Sequence, residues 1–315
     1  MVPQDDRVRG AGLALRLYTS RHVHRLLPAR LALALAASVG PAVRQRRNPA
    51  ELRDGERFMH DLLAHTPRSE EADGLGRRWL EEKGRLRELF WRPWLLKRSK
   101  VLGRENWEAA HADGRGCVIV LGHIAAAWAG PAILALHGYD LYILAGAHYW
   151  EPMPSGYTGL ALLHQRREYG EKVVGTRRLI STGGRPGRLL ELLERGESIA
   201  VAFDAPGFAA TPFLGRTVAL GGGVATAAFR TKARVLPIMP ERHGTRMDVR
   251  LYPPIDPLDF ADSKALRAAI AGAFEPIVIE RPETVELAWH PSPLVTAFDP
   301  SSGSVGILEA PPGAP

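Results

Sequence analysis

The stretch Cys117-Val118-Ile119-Val120-Leu121-Gly122-His123 decides how the rest of the chain is read. Its five apolar residues lack polar alternation, include three β-branched side chains and stop at a glycine. That is the pattern of a strand buried on both faces, as in a parallel sheet. In open α/β sheets, reacting side chains collect just beyond the carboxyl ends of strands. His123 is therefore a candidate functional residue, set at a strand-to-helix turn before a helix expected over 125–137. The plainer alternative is a histidine that caps this helix or packs under a loop.

Strand and helix patterns alternate on the C-terminal side of this stretch. Strands are expected at 141–145, 173–174, 198–203, 217–219, 235–240 and 247–252. Helices are expected at 105–112, 159–167, 186–195, 224–232 and 263–280. Alternation of this kind predicts an α/β fold with a mostly parallel central sheet flanked by helices. The N-terminal third reads as helical: 12–45 as one or two helices ending near Gly40-Pro41, then 50–65, then one long helix over 69–98. The expected organisation is a helical N-terminal extension (1–100), an α/β domain (101–297) and a disordered tail rich in Ser, Gly, Pro and Ala (298–315). Trp79, Phe90, Trp91, Trp94 and Leu95 line a lipid groove or, more simply, pack the helices onto the sheet.

Charge is unevenly distributed. Residues 1–50 hold nine arginines against two aspartates, which accounts for the whole formal excess of +7 in the 315-residue chain. The arginines interleave with Leu13, Leu15, Leu17, Tyr18, Val23, Leu26, Leu27, Leu31, Leu33 and Leu35, the pattern of a helix with a basic face and an apolar face. Such a helix fits an anionic lipid surface or an acidic carrier protein, and equally a helix packed on its own domain. The apolar run 31–43 is too short to span a bilayer. A single cysteine, Cys117, excludes a disulfide framework and a zinc pattern. These features predict a cytoplasmic protein with peripheral contact on the inner face of a membrane. His148, His164 and His243 have no metal-ligand spacing, and no basic-aromatic pattern points to nucleic acid.

Asp204 is the second candidate. It ends the run Ile199-Ala200-Val201-Ala202-Phe203 and precedes the turn Ala205-Pro206-Gly207. An acid at the carboxyl end of a neighbouring strand can reach the imidazole; the alternative is an aspartate capping its own turn. There is no G-x-S-x-G elbow, and Cys117 sits mid-strand where a thiol is inert.

The stretch from Val101 to Trp107, Gly122-His123, the run into Asp204, Thr211-Pro212-Phe213-Leu214-Gly215-Arg216, Gly221-Gly222-Gly223, and the ending from Arg281-Pro282-Glu283 to Trp289-His290 occur in an order that resembles the lysophospholipid acyltransferase superfamily. The likeness spans residues 20–295 and is greatest to its lipid A (lauroyl/myristoyl) and phosphatidylinositol-mannoside acyltransferase branch. One departure is plain. The family carries an aspartate or glutamate five residues after the histidine; here Trp128 stands there, and no carboxylate occurs from 124 to 139.

The resemblance implies transfer of a fatty or polyketide acyl group from an acyl-carrier-protein or coenzyme A thioester to a hydroxyl or amine. The thioester is a substrate, and no cofactor or metal is expected. His123 would be the general base and Asp204 its partner, with Trp128, Arg166, Arg177, Gly215 and Arg216 binding substrate. Backbone amides around Gly215 and 221–223, or Arg216, would stabilise the tetrahedral intermediate. The family suggests a lipid acceptor. Alternatives are an amide-forming N-acyltransferase of manumycin-type natural-product biosynthesis, acting on a small-molecule amine, and a non-catalytic lipid- or acyl-carrier-binding homologue.

Overall fold

The computed structural model describes residues 20–47, 49–146, 156–181, 186–286, 292–295 and 297–298. Residues 12–19 of the basic arm, His148, Gly183-Gly184, Trp289-His290 and the tail beyond 298 lie outside the described residues. The helices are α1 (Arg21–Leu26), α2 (Ala29–Arg47), α3 (Pro49–Leu63), α4 (Leu75–Phe90), α5 (Arg104–His111), α6 (Ala129–Leu136), α7 (Gly156–His164), α8 (Pro186–Glu194), α9 (Gly223–Thr231) and α10 (Ser263–Glu280). The strands are β1 (Val101–Leu102), β2 (Cys117–Leu121), β3 (Tyr142–Ala145), β4 (Leu179–Ser181), β5 (Ser198–Ala202), β6 (Pro206–Phe213), β7 (Arg216–Leu220), β8 (Arg234–His243) and β9 (Arg246–Leu251).

Seven strands form one sheet in the order β1-β9-β8-β2-β5-β3-β4, and β6 and β7 form a separate antiparallel pair. Every neighbouring pair in the large sheet is parallel except β8 and β9, which are antiparallel. β2 lies between β5 and β8, and all five of its residues are buried. Successive strand side chains face opposite ways. Val118 and Val120 accordingly enter one core, with Phe58, Leu62, Leu63, Phe213 and Phe274. Cys117, Ile119 and Leu121 enter the other, with Leu89, Phe90, Ile133 and Tyr169. α4 serves both cores, through Leu75, Trp79 and Leu80 in the first and Leu86, Leu89 and Phe90 in the second.

Four local expectations change. The 69–98 helix is broken into a 3-10 turn (Ser69–Glu71), α4 and a second 3-10 turn (Pro93–Arg98). Gly74, in the left-handed region at φ 78°, starts α4 afresh, and Pro93 opens the second turn. Gly40-Pro41 does not end α2, which continues to Arg47 with Pro41 inside it; the break comes earlier, around Pro28 between α1 and α2. α2 is held against α4 at Gly84, where a Cβ would stand 2.5 Å from the Ala36 carbonyl oxygen. The strand expected at 173–174 is instead part of a π-helical segment, Gln165–Gly175, that prolongs α7. The Tyr169 hydroxyl within it donates to the Phe90 carbonyl, as does Nε2 of His164, the last residue of α7, at 3.0 Å. Burial drives the His164 pKa down to about 4, so the ring is neutral and structural. Finally, the helix expected from 125 begins only at Ala129.

Ile119, with no exposed surface, sits mid-strand between two bonded neighbours. Ile119→Ala is expected to cost about 2–5 kcal/mol of stability, measured by denaturant unfolding, with no change in the sheet's far-UV signature under native conditions.

Candidate active site

The site grows out of the register of two strands. β2 and β5 are parallel, with Leu121 opposite Ala202, and the Phe203 amide donates to the Leu121 carbonyl at 2.9 Å. His123 and Asp204 each lie two residues past those paired ends, so the two side chains leave the same edge of the sheet side by side. His123 Nδ1 and Asp204 Oδ1 are 2.8 Å apart, and the His123 backbone amide donates to Asp204 Oδ2, also at 2.8 Å. One carboxyl thus holds both the ring and the main chain of the histidine. With Nδ1–H donating to a carboxylate, the neutral ring carries its lone pair on Nε2. Asp204 is 2% exposed, and the His123 side chain retains 29% of its surface. Gly122 permits the turn's tight packing: a Cβ there would lie 2.8 Å from the Phe203 ring.

The chain after His123 is strained and externally braced. Ala125 and Ala126 both adopt positive φ, 50° and 65°. This region is costly for side-chain-bearing residues. The segment 284–286 holds them there. The Ala125 amide donates to the Thr284 carbonyl at 2.8 Å, the Glu286 amide donates to the His123 carbonyl at 2.7 Å, and the Ala126 amide donates to Glu286 Oε1 at 2.9 Å. Trp79 Nε1–H, from α4, anchors the same segment through the Val285 carbonyl at 2.8 Å. Because this brace occupies residues 124–127, Trp128 precedes the first turn of α6 and does not follow His123 around a helix.

Two cavities meet at this loop. One, of about 360 Å³, is lined by His123 with Leu121, Ala132, Ile143, Tyr169 and Ala200. The other, of about 350 Å³, lies along one face of α4 (Trp79, Lys83, Leu86, Arg87, Phe90) and reaches Tyr157. Trp128, Gln165 and Glu286 line both. Trp128 packs on Phe90 and Tyr169, with ring centroids 5.2 and 4.6 Å away. Trp79 and Phe90 are therefore both core residues and cavity walls.

The other sequence candidates are dispersed. Arg166, next to Gln165, pairs with Glu171 at 3.1 Å. Arg177 is exposed on a 3-10 turn after the π-helical segment and lines neither cavity. Gly215 packs on the helical layer, where a Cβ would meet the His65 carbonyl oxygen at 2.7 Å. Arg216 is on β7; its Nη1 reaches the Val295 carbonyl at 3.5 Å, and its Nε and Nη2 are buried without partners among the described residues. The Gly221 amide is taken by the Ala205 carbonyl at 2.8 Å. None of residues 215, 216 or 221–223 lines the His123 cavity. Glu286 and Gln165 were missed by the sequence reading. Glu286 lies 160 residues from the Ala126 amide it accepts from, and no local spacing links the two.

Electrostatics favour a basic imidazole. Burial works against the imidazolium, but the hydrogen bond and charge of Asp204, with the charge of Glu286, outweigh it and place the His123 pKa above the ordinary 6.5. Burial raises the Glu286 carboxyl above 4.5, opposed by His123 and by the Ala126 and Ala127 amides. The fully buried Cys117 thiol is pushed up to about 12, which removes it as a nucleophile.

The histidine–carboxylate pair stands at the carboxyl edge of a parallel sheet, beside a cavity with no serine or cysteine among its described lining residues. The family model of the bacterial lipid A biosynthesis acyltransferases matches residues 89–286, more than half of the chain, and the protein belongs to that family. A similar solved structure is the 1-acyl-sn-glycerophosphate (LPA) acyltransferase PlsC from Thermotoga maritima. It is 17% identical with a TM-score of 0.39, over 84% of this chain and 98% of that one. Comparison with curated protein sequences gives no match.

Asp204→Asn removes the charge that offsets burial of the imidazole. The His123 titration midpoint, followed by histidine NMR, is expected above pH 6.5 in the native protein and at lower pH in the variant.

Proposed function

We propose that the protein transfers an acyl group from an acyl-carrier-protein or coenzyme A thioester to a hydroxyl or amine of a lipid acceptor, with His123 as general base and Asp204 as its partner. The observation that carries this reading is the His123–Asp204 pair opening into a largely apolar cavity. Asp204 keeps the proton on Nδ1, so Nε2 takes the proton from the acceptor O–H or N–H. The acceptor oxygen or nitrogen attacks the thioester carbonyl carbon, giving a tetrahedral intermediate. As it collapses, the C–S bond breaks and the imidazolium returns its proton to the departing thiolate. The products are an ester or amide and a free thiol. The neighbouring cavity suits the second substrate, because both cavities meet at Trp128, Gln165 and Glu286 beside the base.

Since the base must be neutral, kcat/KM is expected to rise with pH through a midpoint above 6.5, following the raised His123 pKa. Intact-mass analysis of hydroxyl and amine acceptors, after incubation with acyl-carrier and coenzyme A thioesters, identifies donor and acceptor together. His123→Ala is expected to lower transfer by about 10²–10⁴ while leaving the fold intact. Near-native turnover in that variant would refute the mechanism.

Among the described residues, no helix is long and apolar enough to cross a membrane. α1 and α2 instead expose apolar side chains: Leu31, Leu35 and Val39 recur every four residues along one face of α2, and Leu26 of α1 is 83% exposed. The exposed Arg25 and Arg30 flank them. The arrangement supports peripheral binding to an anionic bilayer surface. Binding to anionic vesicles is expected to weaken as salt rises and to fall further in a Leu26→Ser/Leu31→Ser/Leu35→Ser variant, measured by co-sedimentation. Equal binding by native protein and variant would exclude this face.

A further inference from the structure

No acidic residue occurs between His123 and Asp140 in sequence, yet a second carboxyl stands at the His123 loop. It comes from Glu286, whose position is imposed from several directions. Its amide bonds the His123 carbonyl, the Thr284 carbonyl two residues earlier takes the Ala125 amide, and Trp79 locks the Val285 carbonyl between them. With the backbone so held, the side chain turns onto the Ala126 amide and borders both cavities. Ala126 is the second of the two left-handed alanines, so this hydrogen bond falls within the strained stretch of the loop. A carboxylate accepting from a backbone amide makes a charge-assisted bond, stronger than the neutral kind.

We propose that Glu286 is a positioning residue for the His123 base: it holds the 123–127 loop through the Ala126 amide and sets a second carboxyl charge, besides that of Asp204, near the imidazole. The inference rests on His123 as the reacting group and adds a residue that the strand-end logic does not reach. Asp204 acts on the ring directly, whereas Glu286 acts through the loop and through space. The charged and titratable groups around the pair come from four elements. They are Asp204 after β5, Tyr169 on the π-helical segment, Lys83 and Arg87 on α4, and Glu283 on the C-terminal segment. Lys83 pairs with Glu51 at 3.0 Å, and the Arg87 guanidinium lies 5.0 Å over the Tyr157 ring. Burial weighs most against the charged imidazole, and the two carboxyls, Asp204 and Glu286, are the groups that favour its protonated form.

Glu286→Gln separates charge from shape, because the amide oxygen still accepts from Ala126. Histidine NMR of the substrate-free full chain is expected to show the His123 midpoint moved to lower pH in this variant. The acid limb of kcat/KM moves the same way, and its plateau falls about tenfold, a fraction of what loss of a general base costs. Glu286→Ala also releases the loop and is expected to lower kcat further with little change in KM. If that variant does not fold, the Gln variant decides alone. An unmoved His123 midpoint in Glu286→Gln overturns the proposal, even where activity drops, because Glu286 is then only a structural prop. The titration needs no substrate. A shifted midpoint in a protein without transfer activity therefore upholds the coupling and refutes the acyl-transfer reading instead.

Discussion

One carboxyl group, that of Asp204, makes two hydrogen bonds of 2.8 Å to His123, one to its ring and one to its amide. The ring bond selects the tautomer and the amide bond fixes the turn, so the orientation of the imidazole is set by a group that is almost wholly buried. The arrangement is possible because β2 and β5 are adjacent, parallel and in register. Neighbouring strands run about 4.8 Å apart, so residues at equal distances past two paired ends are within side-chain reach. A shift of one residue in either strand would turn one of these side chains to the opposite face of the sheet. The buried alternation of Val118 and Val120 against Ile119 and Leu121 guards against that shift, since a slip would exchange the two cores.

The remainder of the site is a solution to a problem created at that turn. Two successive alanines in the left-handed region cost about 1–3 kcal/mol each. The segment 284–286 offsets this with three hydrogen bonds across the loop, each contributing roughly 1 kcal/mol or more. Trp79 then ties that segment to α4, which joins both hydrophobic cores. The helical layer is therefore part of the site's support, and the shape of both cavities depends on it. Trp128 fits this frame as an aromatic wall packed between Phe90 and Tyr169. The wide winding of the π-helical segment brings Tyr169 and Gly170 about one turn on from Gln165 along the same cavity.

Much of this was legible in residue order. The apolar run at 117–121, the acid closing 199–203 and the alternation around them point to a parallel sheet with its chemistry at the carboxyl edge. The 263–280 helix is observed with those same bounds. Gly74 and Pro93 break the 69–98 helix locally, whereas at two other misread elements contacts from distant segments accompany the departure from the local pattern. Val173 and Val174 have strand-like side chains, but they belong to a π-helical segment whose Tyr169, with His164 just before it, bonds the Phe90 carbonyl. The alanines at 125–127 are strong helix formers, yet Thr284 and Glu286 draw their amides outward and delay α6 to Ala129.

By itself, then, the sequence determined the strand-helix alternation, the burial of β2, the strand-end placement of His123 and Asp204, and the concentration of positive charge in the first fifty residues. These follow from side-chain type and short-range period, which act over a few residues. Tertiary structure alone decided which strands became neighbours, that Gly215 stands against the helical layer, that Arg216 reaches the Val295 carbonyl, and that Glu286 stands beside His123. Those outcomes depend on packing between segments separated by tens to hundreds of residues. No local propensity encodes such pairings, because the chain reaches them only when the buried faces of its elements close on one another.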